Sequence, residues 1–234
     1  HPIRLEYDYS GDGIMRSLEA SHKRTGLDRF DILFVHDIGE FTHGKEKNAG
    51  HMQAFRDSGI KRLNDLRDQG VIKAWGVGVN EVEVLLDIMK LTHLDCILMA
   101  GRYTLLEQGA LDSFLPLCEA KGVSVIVGGP FNSGILIGGD HYDYGRVPPE
   151  ICDRVTELKA VCAAHGVPLA AAALQFPLAH PAVACVIPGM ADAAEVAANV
   201  ALYAQDIPSA LWDDLKTGGL LHDRAPIPKT RVLS

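Results

Sequence analysis

Short runs of apolar and β-branched residues alternate along this chain with stretches whose apolar positions fall three and four apart. The first pattern reads as buried strand and the second as amphipathic helix. Strands are expected over 31–36, 71–79, 95–99, 123–127 and 182–187. Ahead of the first strand a helix places Ile14, Leu18 and Ser21 on one face, with Gly26 suited to its C-terminal turn. Later helices carry Phe55, Ile60, Leu63 and Leu66, then Val82, Leu85, Leu86 and Met89, then Leu111 through Cys118. Beyond the fourth strand come a helix with Ile151, Val155, Leu158 and Cys162, and another opened by Pro168 and stopped by Pro177. A helix with Val196, Asn199, Val200 and Tyr203 follows the last strand, and a short amphipathic one runs from Leu211 to Leu215. Residues 37–50 and 138–149 read as long polar loops, and 128–134 as a turn-rich segment.

Strand and helix alternate five times, which implies a parallel sheet with right-handed crossovers. An open doubly wound sheet and a (β/α) barrel both fit. No G-x-G-x-x-G follows any strand, which favours the barrel. In either fold the chemistry gathers beyond the C-terminal ends of the strands. The first strand ends there in His36-Asp37, a pair that otherwise reads as a strand running into a solvated loop.

Composition narrows the function more than the fold. The 234 residues suffice for one sizeable core, so 1–234 is expected to be a single domain. A formal net charge of -8 argues against nucleic acid as partner, because phosphate binding needs a basic face. No apolar run approaches the roughly 20 residues that span a bilayer, and His1-Pro2-Ile3-Arg4 has no leader core, so no membrane partner is expected. Cys96, Cys118, Cys152, Cys162 and Cys185 are widely spaced and read as buried free thiols of a reducing cytoplasm. Neither they nor the histidines have zinc-site spacing, and no metal is expected.

Five stretches in register resemble the aldo-keto reductase superfamily. Asp31 to Asp37 is similar to its fourth strand, which ends in the catalytic histidine; Gly76-Val77-Gly78-Val79-Asn80 resembles the end of strand five. Tyr103-Thr104-Leu105-Leu106 resembles the segment after strand six, Gly129-Pro130-Phe131-Asn132-Ser133-Gly134-Ile135-Leu136 the loop after strand seven, and Ile187-Pro188-Gly189 with Asn199 the nucleotide-binding motif of strand eight. The resemblance implies a (β/α)8 TIM barrel with strands four to eight represented here. Within the superfamily, His36-Asp37, Val77 to Asn80 and Gly101 to Leu106 are most similar to a bacterial branch of L-fucose, D-threo-aldose and pyridoxal dehydrogenases.

By that resemblance the protein transfers a hydride between a nicotinamide cofactor and an aldose or other aldehyde or alcohol. His36 orients the substrate oxygen, Asp37 contacts a sugar hydroxyl or holds His36, and the cofactor is met by Asn80, Gly129, Pro130, Phe131, Gly134, Ile187, Pro188, Gly189, Glu195 and Asn199. The family's catalytic Asp, Tyr and Lys lie on strands one to three, which have no counterpart here; Tyr7, Tyr9 and Lys23 are not in those motifs. The chain is therefore expected to be the C-terminal part of a longer barrel of about 250 residues or more, the alternative of a naturally truncated form being physically awkward because five units leave two open sheet edges and an exposed barrel interior. An intact mass equal to these 234 residues on a folded monomer would overturn that expectation. Family members often place Lys, Ser and Arg around an adenosine 2′-phosphate; here Gly189, Met190 and Glu195 stand there. A carboxylate near a ribose favours a free 2′-hydroxyl, so NAD is expected over NADP, with a solvated helix carboxylate as the plainer reading of Glu195. Gly128 replaces an aromatic that often stacks on the nicotinamide, so either Phe131 takes over part of that packing or the site is more open. His43, His51, Tyr142 and Tyr144 lie on the long loops, which by the resemblance are placed to line the substrate pocket, with plain surface residues as the default reading. Two rivals remain: a non-catalytic nucleotide-binding protein of the same fold with a regulatory or scaffolding role, and a metal-dependent hydrolase, which would need more strand-end His and Asp ligands than these. The substrate's identity and the oligomeric state are not legible.

Overall fold

The structure, a computed structural model, describes residues 5–229. The N-terminal stretch His1–Arg4, on which the expectation of no leader core fell, and the last five residues of the tail lie outside the described residues. The chain divides between Leu98 and Met99 into two compact units.

In the first unit, helix α1 (Gly11–Thr25) starts where the Ser10 side chain accepts from the Gly13 N–H and ends at Gly26, which takes a left-handed φ of 69° and donates to the His22 carbonyl. Strand β1 (Ile32–His36) lies parallel to β2 (Ala74–Gly78), with Ile32 opposite Ala74 and His36 opposite Gly78. Strand β3 (Cys96–Ala100) begins on the other side of β2, with Gly76 opposite Cys96. That approach is why β2 carries a glycine: a Cβ on Gly76 would fall 1.9 Å from the Cys96 carbonyl oxygen.

The expected polar loop over 37–50 is mostly helical. One turn, α2 (Glu40–His43), is followed by α3 (Lys45–Ala54), with Gly44 at φ 72° dividing them. A π-helical turn, Phe55–Gly59, then leads into α4 (Ile60–Asp68). Only Asn48 and Met52 of α3 are buried, so the helix has no apolar stripe to announce it. Helix α5 (Val82–Leu91) joins β2 to β3 as its apolar spacing implies.

In the second unit, β4 (Ser124–Gly128) runs parallel to the last long strand, Val183–Ile187, and accepts at the Gly128 oxygen from the Gly101 N–H just past β3. The expected loop over 138–149 contains a small antiparallel hairpin, β5 (His141–Tyr142) with β6 (Gly145–Arg146), so Val183–Ile187 is β7. Its turn puts Asp143 and Tyr144 at positive φ, which a polarity pattern does not reveal. Helices α6 (Phe114–Lys121), α7 (Pro149–Ala164), α8 (Leu169–Gln175), α9 (Ala193–Ala204) and α10 (Ser209–Thr217) complete it around Trp212, Phe176, Phe114 and Tyr103, all buried.

All five cysteines are free. Cys96, Cys118 and Cys162 are buried, and burial pushes their thiols up to about 11, 12 and 11. Cys152 and Cys185 depart from the expectation of burial, because α7 and β7 turn those positions outward. Among the described residues no single helix is long and apolar enough to cross a membrane; one pair, 149–164 with 169–179, passes that test of length and composition jointly but is bent by 101°.

Candidate functional site

The candidate residues fall in both units, and each unit assembles its own part. In the first, His36 is the last residue of β1 and its side chain is 77% exposed. Its Nε2 lies 3.6 Å from Asp37 Oδ1, close enough for attraction when the imidazole is charged and too long for a hydrogen bond. Asp37 has a φ of 54°, a left-handed conformation that costs a non-glycine residue energy. Two backbone bonds hold it there: its N–H donates to the Gly78 oxygen at 2.9 Å, and its own oxygen accepts from the Gly39 N–H at 2.9 Å. Asn80 lies half-buried two residues beyond β2. Glu81 closes over the turn after Asp37: its Oε1 accepts from the Phe41 N–H at 3.1 Å, and a Cβ on Gly39 would fall 1.8 Å from its Oε2.

Behind this loop lies an aromatic cluster. The Tyr9 hydroxyl is 2.9 Å from the His36 oxygen and 2.8 Å from His43 Nε2. The rings of His43 and His51 are 4.4 Å apart, and Tyr7 meets His43 edge-on at 4.6 Å. Burial, followed by the neighbouring His43, lowers the pKa of His51. An open cavity of about 630 Å³ is lined by Glu6, Tyr7, Thr42, His43, Lys47 and His51. So His43 and His51, whose default reading is a plain surface loop, join one cluster.

In the second unit the segment after β4 is held by Asn132. Its Oδ1 accepts from the Thr104 hydroxyl at 2.6 Å and its Nδ2 donates to the Gly101 oxygen at 3.2 Å. Thr104 Oγ1 in turn accepts from the Leu106 and Glu107 N–H groups. Two buried polar side chains thereby pin this loop to the one after β3. Gly129 and Gly134 take φ of 55° and 99°, and Asn132 and Ser133 are left-handed as well. Beyond the Cβ position of Gly134 there is open space. Phe131 is 7% exposed, so its ring is largely committed to the core. A cavity of about 120 Å³ opens beside Gly101, Gly129, Asn132, Ser133 and Tyr144. Of the hairpin tyrosines, Tyr142 donates to Glu107, while Tyr144 is exposed.

The last group surrounds the start of α9. Ile187 ends β7, and its oxygen accepts from the Gly129 N–H at 3.2 Å, joining two of the expected cofactor segments. Asn199 Nδ2 reaches the Gly189 oxygen at 3.5 Å, and no atom lies within 4 Å of a Cβ placed on Gly189. Asp192 caps the helix by accepting from the Glu195 N–H at 2.9 Å, and Glu195 Oε2 accepts from the Ala191 N–H at 2.6 Å. Glu195 thus has a structural duty besides any toward a ligand. Pro188, Met190, Val196, Asn199 and Val200 border an apolar cavity of about 340 Å³.

Sequence reasoning missed Tyr9, Thr104 and Asn132 as residues that hold the site. Thr104 and Asn132 stood within the quoted motifs, but their bond spans 28 positions and leaves no local trace. Among the described residues no three His, Cys, Asp or Glu side chains gather as a metal centre requires.

Over 94% of its length the chain is 42% identical to a pyridoxal 4-dehydrogenase from Microbacterium luteolum, and 36% identical to a D-threo-aldose 1-dehydrogenase from a Pseudomonas species. It spans 65% of the length of each of these relatives. An aldo-keto reductase from Bacillus halodurans in its holo form superimposes with a TM-score of 0.70 at 25% identity, covering 95% of this chain and 71% of that one. A glycerol dehydrogenase from Gluconobacter oxydans, at 17% identity and a TM-score of 0.68, shares the fold. The expected fold class, α/β of the aldo-keto reductase TIM-barrel type, therefore stands. With residues 4–217 matching the sequence profile described as the aldo/keto reductase family, the chain belongs to that family.

Proposed function

We propose that the protein is a nicotinamide-dependent oxidoreductase acting on an aldose or another small aldehyde or alcohol. The observation that carries this reading is the 42% identity to a pyridoxal 4-dehydrogenase, taken with an exposed histidine at the end of a parallel strand. In this reading residues 1–234 supply strands four to eight of one barrel, and the family's Asp, Tyr and Lys are carried on its first three units. The five free thiols suit a reducing cytoplasm.

When bound, the nicotinamide gives or takes the hydride; the residues of this chain bind, orient and shield. His36 presents its imidazole to the substrate oxygen, where a donor lowers the cost of charge developing in the transition state. Asp37 sets a carboxylate beside it for a substrate hydroxyl. Open space at the Cβ positions of Gly134 and Gly189 lets the backbone approach the cofactor closely. Asn80, Pro130, Phe131, Ile187, Pro188 and Asn199 shape the walls.

The start of α9 bears on the choice between NAD and NADP. A helix N-terminus attracts anions through its dipole, but here Asp192 and Glu195 already supply negative charge. A 2′-phosphate would meet two carboxylates and none of the cations expected around it, so the chain is proposed to prefer NAD. The test is initial-rate reduction of both cofactors with a panel of free aldoses and pyridoxal, for the natural protein and Glu195→Gln. NAD is expected to give at least tenfold higher kcat/KM than NADP, and Glu195→Gln, which keeps an oxygen for the Ala191 N–H, should narrow the gap. Equal kcat/KM for the two cofactors overturns the preference; no turnover of any substrate with either overturns the oxidoreductase.

A further inference from the structure

We infer that Tyr9, backed by His43, is the positioning residue for the His36–Asp37 pair, holding the one peptide that aims both side chains. The catalytic consequence rests on the oxidoreductase reading above; the structural part does not.

The argument begins with proton bookkeeping. The Tyr9 hydroxyl has one hydrogen and two close neighbours, the His36 carbonyl oxygen at 2.9 Å and His43 Nε2 at 2.8 Å. A carbonyl oxygen only accepts, so the hydroxyl donates to His36. It must then accept from His43, which fixes the His43 proton on Nε2. Burial, and after it the nearby Tyr7 and Asp37, raise the Tyr9 pKa, so the phenol keeps the proton that this arrangement requires.

The carbonyl that Tyr9 holds belongs to the peptide between His36 and Asp37. That peptide is trans, so its C=O and N–H point in opposite directions. The N–H donates to the Gly78 oxygen of β2, so the carbonyl points away from β2. A carbonyl on that side still needs a donor. Tyr9 supplies it, and the peptide is held at both ends.

This matters because Asp37 sits at a φ of 54° immediately after that peptide. A left-handed aspartate persists only where its surroundings enforce it. Without the hydroxyl, rotation of the peptide relaxes Asp37 toward extended backbone, and it turns the His36 ring and the Asp37 carboxylate with it. Tyr9 is well built for a fixed role: it is 6% exposed, and its ring meets the edges of His43 and His51 at 5.6 and 5.1 Å.

The experiment uses the protein at its natural length, labelled with ¹³C-carbonyl histidine and ¹⁵N aspartate. In this sequence His precedes Asp only at 36–37 and 222–223, so the amide correlation spectrum carries one peak from the site and one internal control. Tyr9→Phe should move the 36–37 peak and leave 222–223 in place, which also shows that the variant folds. His43→Gln, whose amide donates from about the position of Nε2, should move it far less than His43→Ala. With the substrate that the wild type turns over best, Tyr9→Phe should lower kcat at least tenfold with KM for the nicotinamide nucleotide unchanged. His43→Gln should retain most of the rate, and adding His43→Ala to Tyr9→Phe should cost nothing more. An unmoved 36–37 peak in Tyr9→Phe overturns the inference, as does a moved peak with an unchanged kcat. A wild type without turnover overturns the oxidoreductase reading alone, and the peak then decides whether Tyr9 holds the peptide.

Discussion

His180 shows how much one side chain contributes that its neighbours in sequence do not reveal. It is buried, and its Nδ1 accepts from the Ala182 N–H at 3.2 Å, so the neutral ring carries its proton on Nε2. Burial lowers its pKa, with Glu119 opposing more weakly. The folded protein therefore takes up this proton less readily than the unfolded chain, whose histidine titrates near 6.5. Stability from the neutral ring is full above that value and declines as pH falls through it toward the depressed folded pKa. Thermal unfolding between pH 7.5 and 5 should show Tm dropping on the acid side. His180→Asn, which keeps an acceptor for the Ala182 N–H, should flatten the drop; an unchanged slope would refute the assignment. Legibility at this scale divides along the same line. His36, Asp37, Gly129 and Gly134 could be named as candidates because a strand end or a glycine-rich turn marks them locally, and the structure places them at such positions. Tyr9 and His180 act through partners fixed by folding, and nothing near them in sequence hints at the bond.

Elements were legible wherever an apolar stripe or a run of β-formers existed. The five long strands, α1 with its Gly26 cap, α5 and α9 all fall where the pattern places them. The helices of the expected loop 37–50 were not, because α3 is polar on nearly every face and earns its place through a few contacts. One of these is the π-helical turn Phe55–Gly59, packed against the residue that holds the site. A Cβ on Gly59 would lie 2.3 Å from the Tyr9 carbonyl oxygen and 2.6 Å from Phe55 Cδ2, while one on Gly50, in α3, meets nothing within 4 Å. Alanine is the better helix former by about 1 kcal/mol, so the two sites should respond with opposite sign. In urea unfolding, Gly50→Ala should stabilise by about 0.5–1 kcal/mol. Gly59→Ala should destabilise by about 1–3 kcal/mol, because backbone rather than a flexible tip must move. A Gly59→Ala protein as stable as the parent would mean that the turn does not fix Tyr9.

At the scale of the molecule, the alternation of strand and helix foretold a parallel α/β barrel type, and the family match agrees. What it did not foretell is how much apolar surface the 234 residues leave uncovered. The spacing of Val196, Val200 and Tyr203 reads as the buried stripe of a helix, yet α9 has no buried residue. Val200 is 62% exposed, and Met190 and Ile187 are open to solvent nearby. Hydrophobic periodicity reports which face of a helix is apolar; it is silent on whether anything covers that face. A contiguous patch of this kind is uncommon on an isolated monomer and drives association when left bare. Residues 1–234 produced alone should therefore enhance the fluorescence of a hydrophobic dye and grow in apparent size with concentration. Val200→Lys should reduce both, and because the side chain has few contacts to lose, its stability should stay within about 0.5 kcal/mol of the parent. Dye binding untouched by Val200→Lys would place the exposed surface elsewhere. A drop in stability of several kcal/mol would show instead that α9 is packed, and that the stripe is core, as its spacing first implied.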